Sequence, residues 1–85
     1  MPEISRFFGI VICMFWTDHN PPHFHAYYGG DEAQISLDGV VLRGSLPKRA
    51  LSLVLEWLTS RRQELTDDWE RARNRRPLLP IAPLE

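Results

Sequence analysis

The chain has one cysteine, Cys13, so no disulfide can form within it. A lone cysteine in an apolar stretch suits a reducing compartment, and a cytoplasmic location is the expectation. No run reaches the ~18 apolar residues that a membrane-spanning helix needs. The apolar stretch FFGIVICMFW has only Glu3 and Arg6 as charges before it, and no small-residue cleavage site follows. It therefore reads as a buried strand rather than a secretory leader. Internal repeats and low-complexity segments are lacking. Neither sign of charge dominates: 10 basic and 11 acidic side chains leave a formal net charge of −1. Residues 1–46 carry −3 and residues 47–76 carry +3. Neither half has the single-sign field of a dedicated DNA binder, and no helix-turn-helix pattern is present. No activated nucleophile stands out, because Thr17, Ser36 and Ser45 sit in ordinary strand and turn contexts.

What is present is an ordinary globular composition, 44% hydrophobic and 25% charged over 85 residues. A single domain (1–85) of this length buries roughly 60–65% of its unfolded surface, enough for one modest core. Residues 1–44 read as a β-meander. IVICMFW (10–16) is rich in β-branched and aromatic residues, with Cys13 as a small core hydrophobe. HFHAYY (23–28) alternates, with His23, His25 and Tyr27 on one face and Phe24, Ala26 and Tyr28 on the other. Gly29-Gly30-Asp31 reads as a hairpin turn, EAQISL (32–37) alternates again, Asp38-Gly39 marks a second turn, and VVLRG (40–44) ends the meander.

The period changes at Pro47. Ala50, Leu53, Val54, Trp57, Leu58, Leu65 and Trp69 recur at helical spacing within residues 45–74. Ser45 reads as an N-cap, with Pro47 in the first turn and Asn74 at the end. The pattern fits one long helix, or two short ones with a break at Leu65–Asp68 and Thr66 capping the second. Residues 75–85 hold three prolines and form an extended tail, with Leu78, Leu79 and Ile81 packing on the core. Leu84-Glu85 matches a common cloning junction, and no function is expected of it. Trp16, Trp57 and Trp69 are all expected in the core. The fold class is α+β: a small antiparallel meander of 3–4 strands in two layers with one long or two short C-terminal helices.

All three histidines fall in DHNPPHFHAYYGG (18–30). His23 and His25 share a strand face. His19, ahead of Pro21-Pro22, can fold back toward them, with Asp18 as a fourth ligand or an orienting partner. Three imidazoles with an open position suit a divalent metal such as zinc, and the same histidines are the candidate acid–base groups. A cupin assignment fails for want of a second histidine downstream, with Glu32 too distant to complete the set. The plainer alternative is histidines that only tie loop carbonyls to strands. The candidate binding residues are Asp18, Asn20, Tyr27 and Tyr28, together with Arg71, Arg73, Arg75 and Arg76. One tyrosine is expected to face outward beside His25, available for stacking. The arginines complement a helix C-terminus, or alternatively contact phosphates.

MPEISRFFGIVICMF, DHNPPHFHAYYGG, LPKRALSLVLEWL and Trp69-Glu70-x-Ala72 together resemble the DUF4160 family of small bacterial proteins, over roughly residues 1–83. The block Asp18–Ala26 is the most specific part. The resemblance implies a bacterial, cytoplasmic protein paired with a DUF2442-type protein in a toxin–antitoxin-like arrangement. It implies a partner, not a reaction. Two functional expectations follow. In the first, the chain is the protein-binding member of such a pair and docks through its sheet edge or the surface around His19–Tyr28, with a homodimer also possible. In the second, it is a histidine-based, metal-dependent protein that binds or cleaves RNA.

Overall fold

The computed structural model describes residues 2–85. Five strands, β1 (Glu3–Phe7), β2 (Ile10–Cys13), β3 (His23–Tyr28), β4 (Asp31–Ser36) and β5 (Val41–Gly44), are followed by one helix, α1 (Lys48–Arg73). The strands form one antiparallel sheet in sequence order, β1-β2-β3-β4-β5. The expected α+β meander is therefore present, with one more strand than the sequence suggested.

The added strand is β1. Two features hide it in the sequence. Its register slips between Glu3 and Ser5, which interrupts the period of two. Its turn is Phe8-Gly9, with φ of 50° and 80°. Two positive φ values are what a tight two-residue hairpin requires, but an exposed phenylalanine is not the Asn or Asp usually found at the first position. The expected strand 10–16 also ends early, at Cys13. The turn expected at Gly29-Gly30-Asp31 is one residue shorter, Gly29-Gly30, so that Asp31 opens β4 and pairs with Tyr28.

The register sorts the two sheet faces. Ile10, Ile12, Phe24, Ala26, Ala33 and Ile35 line up through the pairs Ile12–Ala26, Ala26–Ala33 and Phe24–Ile35. All are buried under α1. Trp57 is fully enclosed at the centre, with ring centroids 5.3 Å from Phe7 and 5.8 Å from Phe24. The other face carries Cys13, His25, Gln34 and Arg43 in one cross-strand row.

α1 spans 26 residues with a kink inside it, but the kink does not fall at Leu65–Asp68, where the sequence offered a break. The one non-helical residue is Arg61, four residues before that point. Thr66 caps nothing: its hydroxyl donates to the Arg62 carbonyl one turn back, at 2.9 Å. Asp68 is fully buried, where its carboxylate accepts from Arg71 Nη1 (2.8 Å) and from the Leu79 backbone N–H (3.0 Å). Two apparent helix-start signals are thus a mid-helix side-chain bond and an anchor for the tail. Ser45 is not the N-cap either. Pro47 holds that position without a side-chain cap, while Asn74 closes the C-terminus as expected.

The proline-rich tail crosses the molecule and reaches β1. Ile81 is buried and Leu78 half-buried, but Leu79 is 51% exposed, contrary to expectation. Trp16 is the other correction. It is 41% exposed, because its indole N–H reaches out to the Arg76 carbonyl at 2.8 Å instead of entering the core. No helix is long and apolar enough to cross a membrane, among the described residues.

Candidate functional site

His23 and His25 are buried on the sheet face opposite Phe24 and Ala26. Between Cys13 and β3 the chain makes a loop, which starts with a bond from the Met14 N–H to the Pro2 carbonyl (3.2 Å). The Trp16–Arg76 bond holds its middle against the segment after α1. A bond from the Leu37 N–H to the Pro22 carbonyl, at 3.1 Å, fixes its end. The loop thereby lays Asp18 over the two histidines.

One oxygen makes the link. Asp18 Oδ2 lies 2.9 Å from His25 Nε2 and 3.3 Å from His23 Nε2. The far nitrogen of each ring is also engaged. His23 Nδ1 sits 2.8 Å from the Pro21 carbonyl, and His25 Nδ1 sits 3.4 Å from Glu32 Oε2. Aromatic rings wall the pair: Phe15 is edge-on to His25 at 4.7 Å, Tyr27 lies parallel to His25 at 6.4 Å, and Trp69 is 5.6 Å from His23. Asp18, His23 and His25 offer one ligand atom each, all within 4.8 Å of one another.

The structure divides the histidines that the sequence grouped. His19 is exposed and lies outside this cluster. It lines an open cleft of about 440 Å³ with Trp16, Thr17, Asp18, Arg73 and Arg75. Asp18 is thus common to the histidine cluster and the cleft. The four arginines also separate. Arg71 is tied to Asp68 at 2.8 Å, and Arg73 lies 3.9 Å from Glu70. Arg73 and Arg75 border the cleft, while Arg76 meets the site only through its carbonyl. Asn20 is exposed beside the loop. Of the two tyrosines, Tyr27 stands beside His25. Tyr28 faces the helix side, with Phe8, Arg49 and Leu53 around it.

Glu32, expected to be too distant, also reaches the site. A two-residue turn at Gly29-Gly30 pairs Tyr27 with Glu32 and His25 with Gln34, which puts Glu32 diagonally across from His25 on the same face. The signal was therefore in the turn length. Trp69 and Trp16 had no comparable signal, because their approach depends on long-range packing.

Two further groups on this face titrate abnormally. Burial pushes the Cys13 thiol up, with the Glu3 charge adding to it. Burial also raises the Tyr27 phenol, followed by the Glu32 charge. Both groups stay neutral near pH 7, so neither supplies a nucleophile there.

A family model described as a domain of unknown function, DUF4160, matches residues 9–70. The match runs from the β1–β2 turn through Asp18, His23 and His25 into the last turns of α1. No curated protein and no solved structure matches.

Proposed function

Since the chain belongs to the DUF4160 family, we propose that it is the protein-binding member of a two-protein, toxin–antitoxin-like pair, with a DUF2442-type protein as partner. The observation that carries this reading is the difference between the two edges of the sheet. The β1 edge is guarded: the Ile81 N–H donates to the Ile4 carbonyl, and Arg6 pairs with Glu3. Among the described residues, the β5 edge has no such cover. It presents Val40, Val41 and Leu42, each 39–57% exposed, in consecutive positions. An open apolar edge invites pairing with another strand, and proteins usually blunt such edges unless a partner uses them. The partner's contribution would be an extended apolar strand added beside β5.

The test is calorimetric titration of the tag-free chain with the DUF2442-type product, alongside mass measurement in solution. A one-to-one complex at micromolar concentration that Leu42→Lys abolishes supports the reading. No complex, or a homodimer that uses β5 and excludes the partner, overturns it.

The cleft at Asp18 favours a second reading, a histidine-based protein that binds or cleaves RNA. Arg73 and Arg75 give it cationic walls suited to phosphates, Trp16 gives a surface for base stacking, and His19 is exposed within it. Binding of a short single-stranded RNA that weakens with salt, and that a Arg73→Gln/Arg75→Gln double variant loses, would support it. RNA left unbound and uncut at low salt counts against it.

A further inference from the structure

We propose that Asp18 Oδ2, His23 Nε2 and His25 Nε2 are the ligands of a divalent-cation site of the zinc class, and that His19 is not one of them. The argument begins with His23. Its Nδ1 lies 2.8 Å from the Pro21 carbonyl, which can only accept, so Nδ1 carries the hydrogen. In the neutral ring, Nε2 is then a bare lone pair, and it points at the Asp18 carboxylate 3.3 Å away. Two acceptors in that relation need positive charge between them, a proton on the ring or a metal ion held by both. The two rings lie 5.3 Å apart, so protonating both would set two cations side by side, where one dication serves both.

His25 repeats the situation with a carboxylate on each side. Its Nε2 faces Asp18 at 2.9 Å and its Nδ1 faces Glu32 at 3.4 Å. A neutral ring has one hydrogen and so leaves one of these contacts as acceptor against acceptor. One dication shared by Oδ2 and the two Nε2 atoms resolves both conflicts, leaving each Nδ1–H to its own acceptor. An imidazole bound through one nitrogen, with the other held by a carbonyl or a carboxylate, is the usual arrangement of a metal-binding histidine.

The spacing agrees. Ligands about 2.0–2.1 Å from a tetrahedral ion stand about 3.3 Å from one another. The observed Oδ2–Nε2 separations of 2.9 and 3.3 Å lie within a few tenths of that value. Two nitrogens and one carboxylate oxygen suit zinc better than magnesium or calcium, which prefer all-oxygen shells. Three protein ligands leave a position for water, and Asp18 opens onto the cleft bordered by Arg73 and Arg75. The site thus supplies the metal of the RNA reading, but it does not depend on that reading or on the protein pair.

The test is zinc titration of the folded, tag-free chain against a chromophoric chelator, with histidine-ring nitrogen NMR as the second readout. No RNA or partner is added, so its result is separate from theirs. The expectation is one zinc per chain, bound at micromolar concentration or tighter, with the Nε2 signals of His23 and His25 shifted and that of His19 unmoved. Asp18→Asn, nearly isosteric and in a loop, should weaken binding roughly tenfold or more, as should His25→Gln. His19→Ala should bind like the parent. Circular dichroism establishes that each variant is folded, and Asp18→Asn alone decides the matter if His25→Gln does not fold. No zinc uptake by the folded chain, unchanged binding in Asp18→Asn, or loss of binding in His19→Ala overturns the assignment.

Discussion

The backbone N–H of Ile81 donates to the carbonyl of Ile4 at 2.7 Å and closes the outer edge of β1. One residue further on, the Ala82 carbonyl accepts the indole N–H of Trp57 at 2.9 Å. The tail is therefore part of the core, sealing an edge and satisfying the one polar atom of the most central side chain. Deleting residues 77–85 removes both bonds and uncovers the apolar site of Ile81. Burial of an isoleucine is worth about 1.5–3 kcal/mol, and each hydrogen bond about 1 kcal/mol. The deletion should lower the melting temperature sharply and promote association through β1. Differential scanning calorimetry with light scattering measures both, and an unchanged melting temperature would contradict this role for the tail.

Trp16 holds the site loop from outside the core. Trp16→Phe keeps an aromatic ring but loses the bond to the Arg76 carbonyl. Because the residue is partly exposed, the stability loss should be modest, about 0.5–1.5 kcal/mol. The local effect should be larger. Amide hydrogen exchange in residues 14–22 is expected to speed up while that of Phe24–Ala26 stays slow, and uniform protection in the variant would show that the loop is fixed by other contacts.

Gly44 and Gly39 separate two kinds of glycine requirement. Both have positive φ, 75° and 89°. A methyl group on Gly39 meets only ordinary contacts, with Leu55 and Leu58 side chains 3.8 Å away. On Gly44 it would run into the Glu32 carbonyl oxygen, which is backbone and cannot turn aside. Gly39→Ala should cost about 1 kcal/mol from conformation alone. Gly44→Ala should cost more, about 2–3 kcal/mol, and disturb the β4–β5 pairing. Urea denaturation of the two variants gives the comparison, and equal losses would mean that β5 moves aside freely.

Cys13 sets an alkaline limit. Burial raises its thiol in the folded chain above the ordinary value. The folded state then holds a proton that the unfolded state releases. That contribution is complete below about pH 8.5, the unfolded value, and is lost as pH rises toward the folded one. Tyr27, raised chiefly by burial, acts in the same direction at higher pH. Stability should fall from about pH 8.5 upward, and Cys13→Ala should flatten the early part of the fall. The native thiol should also react with a disulfide reagent at pH 8 far more slowly than the denatured one. Fast native labelling would show the strand to be open.

The sequence by itself determined the elements that have a clean local period. Alternation in HFHAYY placed His23 and His25 on one face, because successive side chains of a strand must point apart. The 3.6-residue stripe from Ala50 to Trp69 set the helix, and three prolines kept the tail extended. The approach of Glu32 to His25 was not legible there, because it rests on a turn of two residues, Gly29-Gly30, where the sequence suggested three. Local signals misled where a residue had two physical uses. Thr66 and Asp68 look like a helix start, yet one bonds back within the helix and the other anchors the tail. Phe8-Gly9 does not look like a turn, because its phenylalanine carries a backbone conformation usually given to asparagine or aspartate.

Only the tertiary structure decided which groups meet. Asp18 comes to lie over the histidines because the loop is pinned at Trp16 to a carbonyl sixty residues away. No periodicity encodes a contact of that range. The same pinning leaves His19 outside, in the cleft with Arg73 and Arg75, although it is next to Asp18 in the chain. The tail's choice of β1 over β5 is of the same kind. It follows from where Ile81 and the Trp57 indole can both be satisfied, and among the described residues it leaves one sheet edge covered and the other free.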